Sequence, residues 1–368
     1  MKTLHLIPAL EQGGVETVVC GICRLLAEEG WETAVVSAGG RLASEVERVG
    51  ARHLALDVKS KNPLTYFRRA ASLRRLLEAE RPDVVVAHSR VPAWLCRRAL
   101  RPLGIPWMTF AHGANSVSRY SAVMTAGDLV LVPSQFVADY LSANYVFDRS
   151  KLRVVPPAVD PARFDPSRLD SAFMAGRRRE WRLDGAFTVM AVGRLSPVKG
   201  YDTLIRAFAR LDRATSVRLV IVGSADARHS DCEASLRALA AALGCGDEVV
   251  FAGAQSKVAE CLALADVVVS SNTAKPESFG LSMAEALTMG RPVVAKAFGG
   301  ALDVVRDGPD GILVRDAPDP AEAFAAALER VRANPSECGE RRASALARFS
   351  PAALRTRFVS VCRELVGR

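Results

Sequence analysis

At 368 residues, 49% hydrophobic and 24% charged, the chain exceeds one ordinary core and suits two globular domains, not a disordered or membrane protein. No apolar run is long enough to cross a bilayer, which excludes a helical membrane span. The formal charge of +9 leaves room for an anionic partner, but no recognition motif accompanies it, so nucleic acid is disfavoured.

In chain order, the first apolar run covers residues 3–6 and is ended by Pro8. It has one charge before it and no small-residue cleavage site, so it reads as strand one of a cytoplasmic protein and not as a signal peptide. Gly13 and Gly14 follow at the start of a helical pattern over 15–28. Glycines there let a backbone approach a ligand, although a plain strand-to-helix turn explains them as well. Further strands are predicted at 33–36, 53–56, 83–87, 107–110, 129–132 and 152–154, with helices at 63–80 and 91–103. Strands apolar on both faces and spaced by helices predict a parallel, doubly wound α/β sheet. His112, after the strand at 107–110, falls at the carboxyl end of a parallel strand, where a ligand crevice opens. His88 and the segment Arg90-Val91-Pro92-Ala93-Trp94 read equally well as acceptor contacts or as a helix start.

The stretch 156–185, with Pro156, Pro157, Pro161, Pro166 and the run Arg177-Arg178-Arg179, reads as a linker followed by a helix that opens a second domain. Strands then recur at 187–192, 219–222, 248–251, 266–270, 292–295 and 311–314. Arg194 and Lys199 follow the first of these and precede a helix over 201–210. Two cations between a strand and a helix suit a diphosphate and the negative charge that grows as it leaves. After the strand at 266–270 comes Glu277-Ser278-Phe279-Gly280-Leu281, with Glu285 eight positions beyond Glu277. The first carboxylate falls in a loop and the second about a turn into a helix. One loop could then offer Glu277 to a sugar hydroxyl, the backbone at Gly280 and Leu281 to phosphate, and Glu285 to a ribose. Gly299-Gly300 precedes another helix, with a plain turn as the equal alternative. Residues 351–366 read as an amphipathic helix.

The eight cysteines (Cys20, Cys23, Cys96, Cys232, Cys245, Cys261, Cys338, Cys362) show no zinc spacing and read as reduced. No Asp-x-Asp, nucleoside-triphosphate loop, dinucleotide fingerprint or nucleophile elbow is present, which weighs against kinase, dehydrogenase and hydrolase readings. Arginine pairs at Arg68-Arg69, Arg74-Arg75 and Arg97-Arg98, with Arg101, are either solvated surface or an attraction to an anionic membrane or a phosphorylated acceptor.

Together these residues resemble the family-4 (group 1) retaining glycosyltransferases of the GT-B fold: two Rossmann-like doubly wound domains facing a central cleft. The likeness is strongest over 192–314, where Gly-Arg-Leu…Lys-Gly, the glutamate pair and Gly-Gly occur in family order. It implies an acceptor-binding domain at 1–165, joined by the helix 350–368, and a donor-binding domain at 166–349. It implies His112, Arg194, Lys199 and Glu277 as catalytic, and Gly13, Gly14, Phe279, Gly280, Leu281 and Glu285 as donor-binding. The reaction implied is metal-independent, cofactor-free transfer of a hexose-type sugar from a nucleoside diphosphate, UDP by first guess, to a glycan or lipid-linked hydroxyl. The segment 90–94 further resembles that of lipopolysaccharide and cell-surface glycosyltransferases, which implies a role in envelope-glycan synthesis; with the N-terminus and the basic clusters read above, the expectation is a cytoplasmic protein in peripheral contact with the inner face of an anionic membrane. A nucleotide-sugar epimerase of similar fold and a non-catalytic binding subunit remain open as rivals. The segment 252–260, with Lys257, is expected near the base.

Overall fold

The computed structural model describes residues 1–11, 13–227, 229–272, 274–334 and 338–367, with backbone only at 338 and 339. The chain divides into two compact units, Met1–Ala158 with Pro351–Arg368, and Val159–Ser350.

The first unit carries seven parallel strands: β1 (Lys2–Leu6), β2 (Glu32–Ser37), β3 (Arg52–Ala55), β4 (Val84–Ala87), β5 (Trp107–Phe110), β6 (Leu129–Val132) and β7 (Leu152–Val154). Their order is β3-β2-β1-β4-β5-β6-β7. Helices α1 (Gly14–Glu28), α2 (Ala43–Arg48), α3 (Tyr66–Glu80), α4 (Arg90–Ala99) and α5 (Gln135–Asn144) connect them. Strand alternation divides the apolar residues between two faces. Val85 and Ala87 join Leu4, Leu6, Leu73 and Leu95 in one core, while Val84 and Val86 join Met108, Phe110, Leu129 and Leu131 in another. Helix α4 stops at Ala99, short of the expected residue 103. Pro102 disfavours helix in the residue before it and Gly104 is left-handed at φ 64°, so the chain turns.

The second unit repeats the plan with α6 (Ser171–Glu180), β8 (Phe187–Val192), α7 (Tyr201–Phe208), β9 (Val217–Val222), α8 (Cys232–Ala242), β10 (Val249–Gly253), α9 (Val258–Ala263) and β11 (Val267–Ser270). It continues through α10 (Leu281–Thr288), β12 (Val293–Lys296), α11 (Ala301–Val304), β13 (Gly311–Val314), α12 (Pro320–Ala333) and α13 (Cys338–Phe349). All six strands are parallel, in the order β10-β9-β8-β11-β12-β13. The passage between units lies at Ala158–Val159, earlier than the expected 165–166. The reason is apolar: Val159, Phe164, Trp181 and Leu183 are buried in the core of the second unit with Met190 and Val220, so most of the proline-rich stretch is packed there and does not serve as a free linker.

Helix α14 (Pro351–Val366) returns to the first unit. Leu354, Phe358, Val361, Cys362 and Leu365 fill the core face formed by Val84, Val86 and Phe110. Arg355 reaches Glu29, and Arg153 on β7 forks onto Glu364, with Nε 2.9 Å from Oε2. Among the described residues no helix is long and apolar enough to cross a membrane.

Candidate active site

In each sheet the strand order reverses beside the first strand of its unit, so the loops leaving the two central strands diverge and open a crevice at their carboxyl ends. In the second unit those strands are β8 and β11. The loop after β8 carries Arg194, a 3-10 turn over Pro197–Lys199, and Gly200 in the left-handed region at φ 65° before α7. It is tied at both ends: Tyr201 Oη donates to the Gly193 carbonyl at 3.0 Å, and Ser271 Oγ, just past β11, donates to the Lys199 carbonyl at 3.1 Å. Gly223, after β9, packs so closely that a Cβ there would stand 1.9 Å from the Gly193 oxygen.

The loop after β11 is pinned from the other side. Gly300 N–H donates to the Glu277 carbonyl at 2.7 Å, and a Cβ on Gly300 would meet the Phe279 Cα at 2.5 Å. The Phe279 ring is buried and meets Phe349 edge-on with centroids 5.4 Å apart, so only its backbone is on offer. Gly280 caps α10, and the Leu281 and Ser282 N–H groups find no acceptor among the described residues. Across the crevice Lys199 Nζ donates to Glu277 Oε1, with both side chains about a quarter exposed. Two groups 78 positions apart in the sequence thus form one charged couple. The buried Tyr201 hydroxyl is pushed up by desolvation and by the Glu277 charge.

Glu285 stands one turn into α10, half-buried, and its carboxyl has no hydrogen-bond or ion-pair partner among the described residues. Burial pushes it up to about 7, while Arg163 pulls the other way. Arg194 is more than half exposed and donates to Asp226 Oδ2 at 2.9 Å; Asp226 Oδ1 lies 2.7 Å from His229 Nδ1. Arg194 and Lys199 are therefore held on separate carboxylates. Lys257, expected near a base, pairs with Asp170 and lies over the Phe173 ring at 5.4 Å.

In the first unit Gly13 precedes α1 in an extended conformation, and the Glu16 carboxylate fills the place where a Gly13 Cβ would sit, 2.5 Å away. Gly14 opens the helix with free space around its Cα. Half-buried His112, after β5, stacks on Phe110 with centroids 4.1 Å apart. Its Nε2 lies 2.9 Å from His88 Nδ1, and His88 Nε2 lies 2.9 Å from His5 Nδ1 inside β1. Burial drives His5 and His112 down to about 3 and His88 well below its usual range, so all three rings are neutral near pH 7. Arg90 donates to Ser121 Oγ at 3.2 Å and lies over the Tyr120 ring, so it belongs to the packing of its own unit.

Sequence reasoning missed Tyr201, Ser271, Gly223, Asp226 and His5. The one available signal for His5 was its place as the sole imidazole between Leu4 and Leu6 on an apolar strand.

Two Rossmann-like units of 7 and 6 parallel strands, with cation-bearing loops at the switch point of the second, define a protein of the GT-B α/β class. The solved glycosyltransferase from Rickettsia africae has the same fold, with a TM-score of 0.90 at 24% identity over 99% of this chain and 98% of that one. Anabaena HepE in complex with UDP and glucose follows at 0.84 and 20%, over 99% and 100%. Residues 177–347 match the family described as glycosyl transferases group 1, and 12–163 match glycosyltransferase family 4. A D-inositol 3-phosphate glycosyltransferase from Acidothermus cellulolyticus is 33% identical over 360 residues, spanning 87% of this chain and 78% of that protein. The chain belongs to the group 1 glycosyltransferases.

Proposed function

We propose that the protein moves a hexose-type sugar from a nucleoside diphosphate to an acceptor hydroxyl, with retention at the anomeric carbon and without an obligatory metal or cofactor. The observation that carries this reading is the Lys199–Glu277 couple at the switch point of the second unit. Glu277 holds hydroxyls of the donor sugar. Lys199, Arg194 and the free N–H groups opening α10 meet the charge that develops on the departing diphosphate. The acceptor oxygen bonds to the anomeric carbon on the face from which the diphosphate leaves, as the carbon–oxygen bond to the diphosphate breaks and the hydroxyl proton passes to the departing diphosphate oxygen. Glu285 takes the ribose, and His112 with Gly13 and Gly14 of the first unit meets the sugar and phosphate. UDP is the favoured donor nucleotide, a choice supported by the fold's occurrence in a protein bound to UDP and glucose. A phosphorylated polyol is the favoured acceptor, supported by the name of the curated relative and by the Arg-rich surface.

A second acceptor reading, a lipid-linked envelope glycan met at the cytoplasmic face of an anionic membrane, is favoured by a groove of about 930 Å³ between α3 and α4. Arg74, Arg97, Arg98 and Arg101 line it, with Arg98 4.6 Å from the Phe67 ring and Arg97 5.4 Å from that of Trp94. Phe67 and Leu64 are 62% and 89% exposed beside these cations. Flotation with phosphatidylglycerol vesicles and not with phosphatidylcholine vesicles supports this second reading; absence from both ends it.

The primary test is a thermal-shift series with UDP-, GDP- and ADP-sugars, since a ligand held only by the folded form raises the melting point. It is followed by anomeric analysis of the product by NMR, with and without a chelator. Retention of configuration at full rate under chelation is expected. Steady conversion of a nucleotide sugar to its epimer with no acceptor present would establish the rival reaction.

A further inference from the structure

The three histidines of the first unit sit on neighbouring strands. His5 is within β1, His88 follows β4 and His112 follows β5, and β1, β4 and β5 are adjacent in the sheet. Each of the two 2.9 Å contacts joins a δ nitrogen to an ε nitrogen. Such a contact needs one N–H and one lone pair. For three neutral rings only two arrangements satisfy both contacts: every ring protonated on Nδ1, or every ring protonated on Nε2. The tautomer of any one histidine therefore sets the other two.

The deep end decides between them. His5 is fully buried, its ring stacks between His88 and Phe358 of α14, and its Nε2 has no hydrogen-bond partner among the described residues. In the all-Nε2–H arrangement that atom is a buried N–H with no acceptor. In the all-Nδ1–H arrangement it is a buried lone pair. Among buried backbone groups an orphaned N–H is rarer than an under-satisfied acceptor, and the same preference applied to the ring favours the bare lone pair. We propose that His5 and His88 are positioning residues that lock His112 as the Nδ1–H tautomer, making its outward nitrogen a hydrogen-bond donor to an oxygen of the substrate. Burial keeps the rings uncharged, as either arrangement requires. The closed end also excludes a relay. A proton taken up at His112 has no exit at His5, so the chain fixes polarity and does not carry protons through turnover.

The role of the lock in catalysis rests on the reading above that His112 meets the transferred sugar; the lock itself does not. It is tested first on the free protein by long-range proton–nitrogen NMR of 15N-histidine label. All three rings are expected to show a protonated Nδ1 and a bare Nε2. Protonated Nε2 on any of the three overturns the proposal. The second test is His5→Phe, which keeps a ring against Phe358 and removes the orphaned nitrogen. The folded variant is expected to show mixed His88 and His112 tautomers. It is also expected to lose about tenfold in kcat, the worth of one misdirected hydrogen bond, with UDP affinity unchanged. His5→Asn, whose amide can donate from the same place, is expected to restore most of both. Wild-type kcat alongside scrambled tautomers would overturn the catalytic role. If the wild-type protein turns over no nucleotide sugar, the proposed function fails while the NMR result still judges the lock.

Discussion

The two units share a strand order and differ in what they place at the point where it reverses. The second unit puts a charged couple there, Lys199 and Glu277, on loops tied by Tyr201, Ser271 and Gly300 and about a quarter exposed. The first puts three neutral rings there in single file, ending in the core. The same backbone thus builds one crevice that handles net charge and another that offers only directional hydrogen bonds. The topology fixes where a site forms, and the side chains at the strand ends fix which chemistry it suits.

The sharpest way to break this contrast is to remove the carboxylate. Glu277→Ala is expected to fold and to lose transfer by about 10³-fold or more, because it deletes the proposed sugar contact and leaves Lys199 without its partner. Transfer near the wild-type rate would remove Glu277 from its assigned role. Next in size is an acid effect on the first unit. His5 and His88 are pushed below the ordinary value of 6.5, so below that value the unfolded chain binds more protons than the folded one. The stability they contribute is complete above about 6.5 and is lost as pH falls toward 3. The slope is up to about 1.4 kcal/mol per pH unit for each ring. A melting series from pH 7.5 to 5 should show this fall, and His5→Phe should make it shallower.

A smaller effect comes from Glu285, whose carboxyl is raised from 4.5 to about 7. Between those values the folded chain binds the extra proton, so this residue costs stability as pH rises through the window. Glu285→Gln is expected to stabilise the free protein by about 2 kcal/mol at pH 8, read from denaturant unfolding, and to weaken UDP binding about tenfold. The smallest expected change is Asp226→Asn. Its ion pair with Arg194 is exposed, so stability should move by less than about 0.5 kcal/mol. A larger loss would show that the pair braces the loop after β8.

Much of the fold was legible because buried parallel strands write themselves as continuous apolar runs. Val84–Ala87 and Val267–Ser270 needed no partner to be recognised. Glu277, Gly280 and Glu285 were legible as a group because one loop and one helix start carry all three. What escaped was long-range: Ser271 latching the Lys199 carbonyl, Gly223 making room for Gly193, Asp226 taking Arg194. These depend on which strands are neighbours, and local periodicity is silent on that. His88 shows the same limit. On its own it read equally as an acceptor contact or a helix start, and its meaning comes from rings 83 and 24 positions away.

Helix α14 supplies Phe358 beneath His5 and much of the apolar face behind β4 and β5. On the ribosome this helix is made after every residue of the second unit. The second unit can therefore finish folding while the first still has an open flank, reversing the usual order in which the earlier-made domain closes first. A fragment ending at Ala158 would meet water where Phe358 now sits.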